Sequence, residues 1–138
     1  MDISRNPAGL VRLWGGLAAL NGLIAVGAGA WAAHGLYAED AAQLATFHVA
    51  VRYQMWHALA LLAVAALTGV YGASRLLSIT GLGFSAGIAL FCGSLYTIVL
   101  TSDPTLGAAA PAGGMLLMAG WLSLIIWAIS GRTISKGS

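Results

Sequence analysis

Four stretches of this chain, 13–33, 55–71, 77–100 and 111–129, are long and apolar enough to cross a bilayer, and almost no charge interrupts them. A spanning helix takes about 20 predominantly apolar residues. Backbone buried in lipid must satisfy its hydrogen bonds internally, so each stretch is read as a helix. The connections at 35–40, 72–76 and 101–110 are short, which makes sequence neighbours antiparallel neighbours in space. The chain is therefore expected to be an all-α integral membrane four-helix bundle, one four-span transmembrane domain covering 1–138. Composition closes off the alternative: 59% of the 138 residues are hydrophobic and 7% charged, against roughly 25% charged in a soluble domain. Membrane lipids are thus expected to contact most of the surface. The six cations are scattered, which leaves no footprint for nucleic acid. The single Cys92 can form neither an internal disulfide nor a Cys-x-x-Cys zinc site.

No turn signal separates Ala41 from Gln54, so one helix is predicted from about Asp40 to Tyr71. At about 1.5 Å per residue it is roughly 48 Å long, more than the hydrocarbon thickness of about 30 Å. Its Ala41–Arg52 part must project from the membrane, lie along its surface or bend across the bundle. Orientation follows from the cations, which are retained on the cytoplasmic side. Arg5, Arg12, Arg75, Arg132 and Lys136 fall on one side and Arg52 on the other, which predicts both termini in the cytoplasm and, for a bacterial chain, the inner membrane.

Lipid gives no hydrophobic drive between helices, so close packing needs small residues. Span one carries Ala18-x-x-x-Gly22 and Ala25-x-x-x-Gly29-x-x-x-Ala33, and span three carries Gly83 and Gly87. These are expected to pack helices within the bundle or to bind another copy. Trp14, Trp31, Trp56, Trp121 and Trp127 are read as interfacial anchors.

The polar groups gather in the first half of the chain and at the outer ends of the spans. His34, His48 and His57 surround the outer ends of spans one and two, where Ser94 and Tyr96 arrive on span three and Gly113 at the start of span four. On the second helix His48, Arg52 and Trp56 share one stripe, and Tyr53 and His57 another. Three readings stand for this cluster. It locks the helix ends by hydrogen bonding; it binds a cofactor, with His34 and His57 paired on a haem or His48 and Met55 on copper; or it lines a pathway for a small molecule, lipid or proton. Asn21, the strongly polar side chain deep in span one, is read as interhelical glue.

Four blocks recur in a known order: Gly27-Ala28-Gly29-Ala30-Trp31-Ala32-Ala33-His34-Gly35-Leu36, Tyr53-Gln54-Met55-Trp56-His57-Ala58-Leu59, Gly87-Ile88-Ala89-Leu90-Phe91-Cys92-Gly93-Ser94-Leu95-Tyr96, and Pro111-Ala112-Gly113-Gly114 followed by Gly120-Trp121-Leu122. In these the chain resembles, over nearly its whole length, the small membrane-protein family that includes transmembrane protein 256, a domain of unknown function. The family pattern has Thr-Pro-Leu-Gly-Gly where this chain has Ala110-Pro111-Ala112-Gly113-Gly114. The resemblance implies four spans and brings no reaction with it. Its motif positions coincide with His34, Tyr53, His57, Ser94, Tyr96 and Gly113. The expected function is non-enzymatic association, as a homo-oligomer or as an accessory subunit of a larger membrane complex. The alternatives are redox, metal or small-ligand binding at the His/Tyr cluster and, third, a transporter or proton pathway.

Overall fold

A computed structural model describes residues 6–34 and 41–130. It holds four helices: α1 (Pro7–His34), α2 (Ala41–Tyr71), α3 (Arg75–Thr101) and α4 (Ala110–Ile129), with a 3₁₀ turn at Pro104–Ala109 before the last. No strand occurs among the described residues, and four segments are long and apolar enough to cross a membrane. The fold is an all-α four-helix bundle. Local chemistry sets the helix ends. Asn6 caps α1 by accepting from the Gly9 N–H at 3.0 Å, ahead of Pro7 at the first helical position, where a missing N–H costs nothing. Helix α1 therefore starts six residues before the apolar stretch. Gly72, at φ +81°, ends α2 in a left-handed conformation that a side chain disfavours. Ser74 then caps α3 by accepting from Leu77 N–H at 3.1 Å.

The helices pack in chain order, α1 along α2, α2 along α3 and α3 along α4. On α1 the buried seam is Ala18, Ala25 and Ala32, spaced by seven residues. That spacing keeps one face of an antiparallel pair in register. Gly29 sits beside it, and a Cβ there would touch Val51 of α2 at 3.4 Å. Gly22 and Ala33, placed by the spacing rule on the same packing stripe, do not belong to it: nothing lies within 4 Å of a Cβ on Gly22, and Ala33 is exposed. Each is rotated off the seven-residue seam onto its flank. The α3–α4 contact is closer. A Cβ on Gly83 would come within 3.1 Å of Gly120 Cα, and one on Gly87 within 3.0 Å of Leu117 N. Small residues on both helices let the two backbones meet.

Two cores result. The larger is built around Trp14, Leu61, Val64, Leu77, Phe84 and Leu117. Trp14, expected at the interface, is only 2% exposed, because Gly81 of α3 leaves a hollow that its indole fills. The smaller core, Ala32, Phe47 and Val99, lies at the upper end, where α1 finishes and α2 begins. It settles the path of Ala41–Arg52. That segment stands upright as the start of the 31-residue α2, held by Phe47 edge-on to Trp31 at 5.9 Å and against Tyr96 at 5.0 Å. Helix α4 has 20 residues, about 30 Å, the thickness of the hydrocarbon. Gly113, near its start, abuts Phe91, so α3 continues beyond the upper end of α4 by about two turns, and the upper core rises with it.

Candidate functional site

The site grows from one i, i+4 pair on α2. Tyr53 and His57 stack at 6.0 Å with an interplanar angle of 24°, and His57 Nδ1 lies 2.7 Å from the Tyr53 carbonyl oxygen. A carbonyl only accepts, so Nδ1 carries the proton. Across the bundle the Trp121 indole N–H points at His57 Nε2 from 3.2 Å. An indole only donates, so Nε2 accepts. The two partners together fix the Nδ1–H tautomer of a ring that is 6% exposed.

Aromatic side chains from α2 itself and from α3 and α4 close around this ring. Phe84 of α3 meets His57 edge-on at 5.5 Å and Trp121 at 5.1 Å, while Phe91 packs on Tyr53 at 5.0 Å. Two glycines of α4 make the approach geometrically feasible. A Cβ on Gly113 would fall 2.3 Å from Phe91 N, and one on Gly120 would fall 2.7 Å from the Phe84 ring. What remains between α2, α3 and α4 is a groove of about 380 Å³. His57 and Trp121 border it with Tyr53, Phe91, Pro111 and Met118. It lies at the low end of the roughly 300–1,000 Å³ of ligand pockets, and its walls are mostly apolar and aromatic, with His57, the Tyr53 phenol and the Trp56 and Trp121 indoles as the side chains that carry polar atoms.

A second polar system runs beside it. The Tyr96 hydroxyl donates to Gln54 Oε1 at 2.7 Å, Gln54 Nε2 donates to Asn21 Oδ1 at 3.1 Å, and Asn21 Nδ2 donates to the Leu17 carbonyl at 2.9 Å. Three helices are joined by one directed relay, with Gln54 at its centre and 4% exposed. Asn21 is the interhelical link its position suggested.

The remaining sequence-predicted residues are distributed as follows. Ser94 is buried and turns its hydroxyl back onto the Leu90 carbonyl of its own helix. Gly113 marks the tight α3–α4 contact against Phe91. His34, His48 and Arg52 are exposed, the first at the end of α1 and the others on the outer side of α2. With Gly29 opposite Val51, His34 stands roughly 17 Å above His57 along the bundle. The expected haem pair is therefore not formed, because the upright start of α2 lifts the end of α1 away from His57. His48 and Met55 are separated by about 10 Å of helical rise, so the copper pairing is not formed either. Among the described residues no three His, Cys, Asp or Glu side chains converge as a metal site. Glu39 and Asp40, the acids closest in sequence to Arg52, lie outside the described residues.

Sequence reasoning missed Gln54 and the role of Trp121. Gln54 stands in the Tyr53–Leu59 block between residues with stronger chemical signatures. Its signal is its phase: it falls on the Phe47, Ala50, Leu61 and Ala65 face of α2, the one buried face of that helix.

Comparison with known proteins adds the family. A family model described as "Protein of unknown function (DUF423)" matches residues 28–114, from the Gly27–Leu36 block to the end of Pro111–Gly114. A UPF0382 membrane protein of Staphylococcus aureus (strain bovine RF122 / ET3-1) is 42% identical over 111 residues, covering 80% of this chain and 89% of the relative. One from Staphylococcus saprophyticus is 41% identical over 113 residues, 80% and 91% of the two chains. The UPF0382 membrane protein YwdK of Bacillus subtilis (strain 168) is 39% identical over 114 residues, 82% and 93%. No solved structure matches the chain. With its four apolar helices and a family model that matches more than half of its length, the chain belongs to the DUF423 family of membrane proteins of unknown function.

Proposed function

We propose that this protein is a non-enzymatic binding protein of the bacterial inner membrane, whose α2–α3–α4 groove takes a flat, lipid-soluble molecule. One observation carries the reading: the buried polar ring of His57 opens onto an aromatic-walled groove of about 380 Å³ at the lipid-facing side of the bundle. Ligand sites are mostly apolar, with few polar groups that fix orientation, and His57 with Trp121 is such a polar point. A planar ring fits between the Tyr53 and Trp121 faces. A hydroxyl on it would compete with the indole N–H for His57 Nε2. The test is quenching of tryptophan fluorescence by 1,4-naphthoquinone in mild detergent, with Gly114→Leu as the control. Gly114 borders the groove and a Cβ there meets nothing closer than 3.9 Å, so a larger side chain fills the space without disturbing the helix contact. Saturable quenching that the variant loses is the expected result. Quenching that rises linearly and equally in both proteins overturns the proposal.

Association, as a homo-oligomer or accessory subunit, is the second reading. It is favoured by the side of α1 that faces away from α2, where Gly16 and Gly27 have nothing within 4 Å and Leu20 and Leu23 are exposed. Small residues in spanning helices serve close helix contact, and Gly83 and Gly87 of α3 and Gly113 and Gly120 of α4 are already used inside the bundle. Protein extracted gently from its native membrane should then sediment well above 14.0 kDa after correction for detergent. A clean monomer with no co-purifying partner removes this reading.

A further inference from the structure

On the opposite side of α2 from the His57 groove, a second groove of about 230 Å³ runs between α1 and α2. Gly15 and Gly22 form one wall and Met55, Leu59 and Leu62 the other, with open space above both glycines. His48, Arg52, Met55, Leu59 and Leu62 are spaced four, three, four and three residues apart. They therefore lie on one stripe of α2, and Arg52 stands one turn above the groove. Depth places it at the membrane boundary. Tyr53 packs on Phe91, and Phe91 abuts Gly113, so Arg52 is within about a turn of the upper end of α4, a helix just long enough to span the hydrocarbon. Arg52 is exposed, and it has no side-chain partner among the described residues. Asp103, the one acid among those residues, lies beyond the end of α3, more than two turns higher.

A guanidinium at the edge of the hydrocarbon, without a side-chain partner among the described residues and directly above an apolar furrow, matches a molecule with an anionic oxygen cluster on an apolar chain. We propose that this groove seats an anionic phospholipid, one acyl chain lying along Gly15, Gly22, Leu59 and Leu62 and the phosphate held by Arg52. The guanidinium fork pairs with phosphate through two parallel hydrogen bonds. His48, one turn further out on the same stripe, reaches the glycerol or headgroup side. A second copy of the chain fits this surface less well. Twofold packing across it would bring two Arg52 side chains to the same depth, with no acid among the described residues to answer them.

The experiment is native mass spectrometry of the full chain released from nanodiscs of phosphatidylglycerol mixed equally with phosphatidylcholine. Wild type, Arg52→Gln, Arg52→Lys and Gly22→Leu are compared after helicity is checked by circular dichroism. One retained lipid per chain is expected, with phosphatidylglycerol favoured at least fivefold. Arg52→Gln should lose that preference, Arg52→Lys should keep part of it, and Gly22→Leu should lose retention of both lipids. Equal retention of the two lipids by wild type overturns the proposal, as does an unchanged preference in Arg52→Gln. A dimer that Gly22→Leu dissociates overturns it in favour of a second copy. Should Arg52→Gln fail to fold, Arg52→Lys and Gly22→Leu decide alone: full retention in both would refute the assignment.

Discussion

At the scale of single residues, the bundle's interior depends on one neutral amide. Gln54 both accepts from Tyr96 and donates to Asn21, so its loss strands a hydroxyl and a carbonyl oxygen in a medium without water to replace it. Gln54→Leu is expected to destabilise the protein by about 1–2 kcal/mol, and Tyr96→Phe by about 0.6 kcal/mol, the average for a hydrogen bond in a membrane bundle. Denaturation by dodecyl sulfate in mixed micelles measures both, and a Gln54→Leu midpoint equal to wild type would remove the relay from the account. A glycine pair supplies a sharper contrast. A Cβ on Gly113 lands on the Phe91 backbone, which cannot move like a side chain, whereas Gly114 beside it has room. Gly113→Ala should therefore cost several kcal/mol, in the range of overpacking or worse, about 1–3, while Gly114→Ala stays within about 0.5 kcal/mol. Equal effects in the same denaturation assay would mean that α4 does not lie against α3 as described. Asn21 was legible from sequence because it stands alone in an apolar span. Gln54 was not, because Arg52, Tyr53 and His57 surround it and an uncharged amide announces no chemistry until its face is known.

At the scale of helices, the existence and lengths of the elements were legible, and their buried faces were not. In a soluble helix the apolar stripe marks the core; here the lipid side is as apolar as the packed side, so periodicity carries no inside. Spacing alone therefore puts Gly22 and Ala33 on the same stripe as Ala18, Ala25 and Gly29, and it makes Trp14 look like an anchor. The upright start of α2 was likewise undetermined until Phe47 met Trp31 and Tyr96. Helix ends, by contrast, follow rules that hold on either side of a membrane. Ser74→Ala removes the cap of α3 and should cost about 1 kcal/mol, detectable as faster amide exchange at Leu77; unchanged exchange would deny the cap its role. Asp103 works the same way beyond the other end of α3. Hydrogen bonds from the Thr105 hydroxyl and then its backbone N–H hold the Asp103 carboxyl below its ordinary range. A depressed folded pKa makes the capping contribution fully present above the ordinary carboxylate value, and it fades as pH falls through the folded one. The Thr105 amide resonance should therefore titrate with a midpoint below about 3.9. A midpoint at or above that value contradicts the bonds.

At the scale of the whole molecule, serial packing in chain order leaves a groove on each of two opposite sides of α2. One is aromatic with a polar point at His57, and the other is apolar with a cation at its rim. The proposals for both depend on where the bundle sits in the bilayer. The alternation of its helices reduces that question to one binary choice: the 3₁₀ turn after α3 and the end of α4 must face opposite compartments. In the sequence, five of the six cations flank the chain termini or the α2–α3 connection, and one, Arg52, precedes the second apolar stretch. Because Lys and Arg near span ends are held on the cytoplasmic side, Ala108 in the 3₁₀ turn is expected outside the cell and Ser130 inside. Both are exposed, and the native Cys92 is buried, so it gives a silent background for labelling. Single substitutions Ala108→Cys and Ser130→Cys, treated in intact cells with a membrane-impermeant maleimide, separate the alternatives. Ala108→Cys should react at once and Ser130→Cys only after lysis. The reverse pattern would invert the molecule, moving Arg52 from the outer to the inner leaflet and with it the compartment from which the lipid's headgroup is reached. Labelling of both sites in intact cells would be a stronger result, because it is incompatible with an α4 that crosses the membrane at all.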